Sequence, residues 1–238
     1  MAGVGTLVNS AAVIAAGILG LILKKGIQKR FQDIVTKAIG LAVIFIGISG
    51  ALSEIMVIQN GKITTQGSMM LIISLVLGAL LGEWIGLEEY IQKFGGWLKH
   101  KAKSDGDSLF IEGFVVTSLT ICIGAMAVVG ALNDGLTGDA SMLYTKAVLD
   151  FVIVIIFAST YGAGVIFSVI PLAVFQGTIT VLARFIAPYL NDMMIGNLSL
   201  VGSVLIFCVG LNLVFKSGLK IANLLPALLV AVLYTLIL

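Results

Sequence analysis

Charged side chains are scarce in this 238-residue chain. Only 11% of its residues are Asp, Glu, Lys or Arg and 59% are hydrophobic, whereas a soluble domain is about 25% charged and about 45–50% apolar. The 14 basic residues are scattered between apolar runs, so they form no continuous face for phosphate groups. The composition predicts a protein whose solvent is lipid and excludes a nucleic-acid-binding role.

Residues that build catalytic, metal and disulfide sites are scarce too. The chain has one His and two Cys. His100 lies in a charged segment, where a surface position is expected, and Cys122 and Cys208 lie in apolar runs without CxxC or Cys/His spacing. The sequence contains no Ser/His/Asp arrangement and no glycine loop ending in Lys-Ser/Thr. We therefore expect no enzymatic activity, no cofactor and no metal site, and two cysteines that are small buried apolar residues.

Long apolar runs are what the chain has in quantity. A membrane helix needs ~20 mainly apolar residues, and this criterion predicts an all-α polytopic membrane protein. The first run is interpreted as a retained span rather than a signal peptide, because no charged residues precede it. Eight spans are predicted, at about 5–23, 37–53, 69–87, 110–132, 146–161, 164–186, 198–215 and 219–238. The fifth and sixth are separated only by "TYGAG", so two spans and a re-entrant hairpin both remain open.

The basic residues predict an orientation, because Lys and Arg collect on the cytoplasmic side. Most of them follow spans one, three and seven: Lys24, Lys25, Lys29, Arg30, Lys37, Lys93, Lys99, Lys101, Lys103, Lys216 and Lys220. The alternate connections hold only Lys62, Lys146 and Arg184. We expect a multi-pass membrane protein with both termini outside.

Three pairs of similar segments occur in the same order along the chain. "TKAIGLAVIFIG" from Thr36 resembles "TKAVLDFVIVII" from Thr145, and two weaker pairs lie upstream and downstream. They predict a single membrane domain in which 5–87 and 110–186 form a 3+3 inverted repeat, as in many secondary transporters. A cytoplasmic amphipathic connector at 88–109, either interfacial or solvated, and a C-terminal helix pair at 198–238 complete it. Chance similarity among apolar helices remains the alternative.

Polar residues inside the fifth span need a reason to be there. Asp150 lies about four residues inside it, ~6 Å from its entrance, where a carboxylate is unfavourable. Lys146 is one helical turn earlier on the same face. The pair is interpreted either as an interfacial ion pair or as part of a cavity that binds a solute or an ion.

The sixth span is predicted to be broken around Pro171, which removes a backbone hydrogen bond, with Gly162 and Gly164 in the preceding break. Ser168 is placed to satisfy the freed carbonyl group. Further polar groups of the predicted pathway are Gln176 and Thr178 on this span and Asn9 on span one. Ordinary helix packing is the alternative role for Ser168, Pro171 and Thr178, and helix–helix hydrogen bonding is the alternative role for Asn9.

Two polar sites lie at the predicted membrane surfaces. The segment with Asn133, Asp134 and Asp139 is predicted to be an outer loop. It either attracts cations to the outer opening of a cavity or forms turns and a helix cap. Glu83 ends span three on the cytoplasmic side, where it is expected to be solvated.

Several segments together resemble the YqgA-like family of uncharacterised bacterial inner-membrane proteins. They are "GALNDGLTGDASMLYTKAVLDF", "IFASTYGAGVIFSVIPLAVFQG", "GTLVNSAAVIAAGILGLILKKGI", "GALLGE" and "NLLPALL". The resemblance covers essentially the whole chain and implies a multi-span membrane protein with no catalytic domain, but no substrate. The positions that match the family pattern are Asn9, Glu83, 133–139, Lys146, Asp150, Ser168, Pro171 and Gln176.

These observations favour a transporter or channel for a small solute or ion, with cation or proton coupling, through a polar cavity between inverted halves. The alternative is a non-transporting scaffold, sensor or partner subunit that assembles through small-residue helix faces. Expected partners are the lipid bilayer, the small solute or ion, and further copies of the chain, with a dimer favoured.

Overall fold

The computed structural model describes residues 2–24, 29–59, 61–122, 125–186, 188 and 191–237. The described residues are almost entirely helical, as predicted. The helices are α1 (Val4–Lys24), α2 (Lys29–Ile55), α3 (Ser68–Ile85), α4 (Leu87–Lys101), α5 (Phe110–Cys122), α6 (Ala125–Thr137), α7 (Ser141–Tyr161), α8 (Val169–Ile186), α9 (Asp192–Phe215) and α10 (Pro226–Ile237). Two 3-10 turns, Ala163–Ser168 and Ile221–Leu224, lead into α8 and α10.

Among the described residues, six helical segments are long and apolar enough to cross a membrane, and a seventh is counted if α5 and α6 form one span bent by 61°. The eighth predicted span corresponds to the apolar helical segment Ile221–Ile237, which is shorter than these. The fifth and sixth predicted spans are both long enough by themselves, as Ser141–Tyr161 and Ala163–Phe185. Large side chains on these helices are exposed, with Leu7, Phe45 and Val181 at 70%, 70% and 78%, as expected of surfaces that face lipid.

The chain divides into two compact units, and neither is continuous in sequence. The first comprises Met1–Thr36, Ile91–Cys122 and Met126–Tyr189, and the second Lys37–Tyr90, Ile123–Ala125 and Leu190–Leu238. The predicted repeat of 5–87 against 110–186 is not confirmed and stays a prediction.

In the first unit, α1 packs along α7. The contact is close because α1 presents small residues: a Cβ added at Gly20 would lie 2.5 Å from the Ile155 carbonyl oxygen and 2.6 Å from the Ala158 Cβ. The start of α5 packs on the 3-10 turn before α8 in the same way, since Gly164 abuts the Phe110 carbonyl group. Small residues thus allow the backbones to approach closely in both of these contacts.

In the second unit, α3 packs on α10 and α9 around the buried residues Met70, Leu200, Val201, Ala227 and Ala231. α2 approaches α9 through glycine, since a Cβ at Gly47 would lie 2.5 Å from the Phe207 nitrogen. Between α2 and α3 the chain forms an antiparallel hairpin of β1 (Met56–Gln59) and β2 (Lys62–Thr65), with Met56 opposite Thr65. This hairpin was not predicted.

The predicted connector at 88–109 contains α4. Its Leu98 is buried against Phe110 and Phe114 of α5, and the His100 side chain is 83% exposed, as expected. Cys122 and Cys208 are free and half-buried rather than fully buried.

Candidate functional site: a buried polar cluster in the first unit

Asp150 and Lys146 form an ion pair on the buried face of α7. The Lys146 Nζ and the Asp150 Oδ2 are 2.5 Å apart, and both side chains are less than one-tenth exposed. Because α7 begins at Ser141 rather than at the predicted 146, Asp150 lies ~13 Å from the start of the helix, near its middle. The pair therefore lies further along its helix than the sequence indicated.

Asn9 of α1 contacts this carboxylate. It lies on the buried face of α1, where the small residues of the helix allow close packing against α7. The Asn9 Nδ2 donates to the Asp150 Oδ2 at 3.0 Å and to the Gln176 Oε1 at 3.4 Å. The amide therefore joins α1, α7 and α8.

Gln176 enters the cluster from α8 and is fully buried. The buried face of α8 repeats at helical spacing through Leu172, Gln176, Thr180 and Ala183. Thr178, predicted as part of the pathway, is exposed instead, because two residues along a helix turn a side chain by about 200°. Thr180 takes the buried position that was assigned to Thr178.

Eight buried side-chain atoms have no hydrogen-bond partner among the described residues. Two of them, the Asn9 Oδ1 and the Gln176 Nε2, belong to the amides of this cluster; the others are the hydroxyl groups of Thr6, Ser10, Thr117, Thr160, Tyr161 and Thr180. The amide orientations follow from the contacts: the carboxylate requires a donor from Asn9, which in turn requires an acceptor from Gln176. One acceptor and one donor are thus left over, and a buried atom left unpaired costs about 1–3 kcal/mol. A ligand or water that donates to Asn9 and accepts from Gln176 would pair both.

The helix break before α8 lies at Gly162, one of the three residues named for it, and not at Pro171. Gly162 ends α7 at φ 94° and ψ −149°, a conformation that essentially requires glycine. The Ser168 hydroxyl donates to the Val165 carbonyl oxygen at 2.7 Å, inside the 3-10 turn. Pro171 therefore follows the break, in the first turn of α8, where a missing N–H is tolerated.

The predicted outer loop is mostly helix. α6 continues through Asn133 and Asp134 to Thr137, and only Asp139 of the three predicted residues lies in the connection. Asp134 is fully buried, and its carboxylate accepts the backbone N–H groups of Gly3 and Gly5, at 3.1 and 3.0 Å. Asn-Asp-Gly is typical of a turn, but it is helical here because the Asp134 side chain caps α1.

Asp139 is exposed and lies two residues before Ser141, the first residue of α7. Its Oδ1 accepts the Ser141 N–H at the start of α7, at 3.0 Å. The hydrogen bonds from Ser141 hold the pKa of the Asp139 carboxyl below its usual range.

Glu83 belongs to a separate polar group in the second unit. It is exposed as predicted, and it also accepts hydrogen bonds from the Lys220 Nζ and the Asn223 Nδ2, both at 2.6 Å. The hydrogen bond with Glu83 raises the pKa of Lys220 above its ordinary value. These contacts tie the end of α3 to the 3-10 turn before α10.

The chemistry open to the buried cluster is ion or solute binding. Three helices contribute one carboxylate, one ammonium and two amides, and within the described residues no group of three His, Cys, Asp or Glu is placed to hold a metal ion. Of the predicted pathway residues, Asn9, Lys146, Asp150 and Gln176 come together. Ser168 and Thr178 are placed elsewhere, and the capping role of Asp134 was missed.

Apolar spanning helices around a buried polar cluster define a multi-pass α-helical membrane protein. The chain belongs to the family described as "Protein of unknown function (DUF554)", whose sequence pattern matches residues 4–236. It is 33% identical over 226 residues to "Uncharacterized membrane protein YdfK" of Bacillus subtilis, covering 95% of this chain and 93% of that protein. It is 31% identical over 232 residues to "Uncharacterized protein YqgA" of Escherichia coli, covering 96% and 94%. No solved structure matches the chain.

Proposed function

We propose that this protein transports a small solute or ion across the bacterial plasma membrane, with both termini outside, and that its site is the cluster of Asp150, Lys146, Asn9 and Gln176. The observation that carries the proposal is the pair of unpaired amide atoms beside a buried carboxylate. The pathway is placed among α1, α7 and α8 of the first unit.

The energetic argument concerns the depth of Asp150. Placing an Asp at the centre of a membrane helix costs about 3 kcal/mol on insertion scales, so such residues usually mark ion or substrate pathways. Lys146, one turn away, reduces that cost. It does not explain why the amides of Asn9 and Gln176 also converge here, with one donor and one acceptor left without a partner. A bound polar ligand supplies that reason.

The test is solute uptake into vesicles that contain the purified protein. The panel comprises Na⁺, K⁺, small amines and amino acids, and it compares the wild type with Asp150→Asn and with Asp105→Asn, whose aspartate is exposed. We expect Asp150→Asn to abolish uptake of at least one solute that the wild type and Asp105→Asn both take up. Equal uptake by all three proteins, or no uptake by any, contradicts the proposal.

A second candidate is a non-transporting scaffold or partner subunit that forms a homo-oligomer, favouring a dimer. The observation behind it is that Lys146 already neutralises Asp150. Under this hypothesis the pair matters only for folding, so the apolar double variant Lys146→Met/Asp150→Leu keeps every property of the protein. Under the transport hypothesis the same variant folds and moves nothing.

A further inference from the structure

We propose that Lys146 is an internal competitor for a transported monovalent cation, so that binding of the cation at Asp150 expels one proton from Lys146. The inference rests on the proposed function and names its substrate class and its coupling. The geometry behind it is the contact of a single ammonium with the carboxylate oxygen that Asn9 also contacts.

The oxygen atoms suit a small cation. The Asp150 carboxylate supplies the charge, and the unpaired Asn9 Oδ1 belongs to the same amide whose Nδ2 reaches that carboxylate. Carboxylate and amide oxygens are ligands for hard cations. The unpaired Gln176 Nε2 suits a water molecule carried by the cation, since the water oxygen can accept its N–H.

The position of Lys146 makes exchange the expected consequence. It is 7% exposed, and once a cation takes its place at Asp150, its ammonium has no counter-charge. A buried ammonium without a partner is strongly disfavoured, so the amine gives its proton to water. One cation enters as one proton leaves, and the net charge of the site is unchanged.

Few other groups near the pair can exchange this proton. α5 contributes the Cys122 thiol, which interacts with both charges, and α6 contributes Asp134, which accepts two backbone N–H groups. α8 contributes only the exposed Arg184, and the 3-10 turn before α8 has no titratable residue. The titratable groups at the far end of α7 are Lys24 of α1, Asp107 before α5, Glu112 of α5 and Tyr161 of α7.

The experiment is calorimetric titration of the purified protein with Na⁺, K⁺ and methylammonium, at pH 6.5, 7.5 and 8.5 and in two buffers of different ionisation enthalpy. The buffer comparison counts the protons released for each cation bound. The wild type should release about one proton, and its affinity should fall about tenfold for each unit of pH decrease. The three cations distinguish a metal ion from an organic ammonium as the substrate.

Two substitutions separate exchange from a structural ion pair. Lys146→Gln removes the competitor, so the cation should bind at least tenfold more tightly at pH 7.5, with no proton release, and should raise the melting temperature. Lys146→Arg keeps the charge pair but cannot give up its proton, so it should fold and bind no cation. Lys62→Gln, on the exposed hairpin, is the matched control and should behave as the wild type.

The opposite results overturn the inference. They are cation binding by Lys146→Arg at wild-type affinity, proton release that persists in Lys146→Gln, and the absence of cation binding in both the wild type and Lys146→Gln. If solute uptake still depends on Asp150 in any of these cases, the transport function stands and only the exchange role of Lys146 fails.

Discussion

The buried pair of Lys146 and Asp150 predicts a large coupling in the free energy of unfolding. Removing either partner leaves an uncompensated buried charge, which costs about 3–5 kcal/mol, whereas replacing both with apolar residues of similar size is often neutral. Lys146→Met and Asp150→Leu should therefore each destabilise the protein by about 3–5 kcal/mol. The double variant should lose only about 1 kcal/mol, because Asn9 loses one hydrogen bond and keeps Gln176.

The single effects sum to about 6–10 kcal/mol, so the double variant should fall short of additivity by about 5 kcal/mol or more. The assay is equilibrium unfolding in mixed micelles, followed by circular dichroism, for the wild type, both single variants and the double variant.

A matched control is the exposed pair of Lys220 and Glu83, in which the Nζ–Oε1 distance is 2.6 Å. Its own cycle, Lys220→Met and Glu83→Leu, should show coupling close to the experimental error, because water screens both groups. The reasoning is refuted if the buried cycle is additive, or if the two cycles give equal coupling.

Three further predictions concern single side chains. Asp134→Ala should lower the free energy of unfolding by about 2–4 kcal/mol, since two backbone N–H groups lose their carboxylate acceptor. Substitution of the exposed aspartate, Asp139→Ala, should cost less in the same unfolding assay. Equal losses would contradict the capping role of Asp134. Gly162→Ala should destabilise the protein by about 1–3 kcal/mol, because alanine rarely adopts the backbone conformation of Gly162. Thermal melting measures this loss, and an unchanged melting temperature would contradict it. Gln176→Leu should abolish solute uptake but change the free energy of unfolding by only about 1 kcal/mol or less, because the loss of one hydrogen bond is offset by the removal of one unpaired buried donor. Thr178→Val is the control and should leave uptake unchanged.

Local features of the site were predictable. Lys146 and Asp150 are four residues apart on one helix, so their contact follows from helix geometry alone. The convergence of Asn9 and Gln176 was expected because apolar spans rarely contain an amide that has no role. The distances that make one Asn9 nitrogen serve two acceptors come from tertiary packing, which no local pattern specifies.

Other features depended on contacts distant in sequence or on precise phase. Asp134 looked like a loop residue because its partners, Gly3 and Gly5, are about 130 positions away. Thr178 and Thr180 are two residues apart on α8, so only one of them, Thr180, shares the buried face of Gln176. The hairpin after α2 had a local signal, Asn-Gly at 60–61 between alternating residues, which was not used.

The cap on α1 connects the fold to the candidate site. Asp134 holds the N–H groups of Gly3 and Gly5, and Asn9 lies four residues beyond Gly5, about 6 Å further along α1. A carboxylate that fixes the start of the helix therefore also fixes the height at which Asn9 meets Asp150. If this positioning matters, Asp134→Ala should weaken binding of the solute at Asp150 even under conditions in which the variant is fully folded, and Asp139→Ala should not. Normal binding by folded Asp134→Ala would mean that the packing of α1 on α7 positions Asn9 unaided.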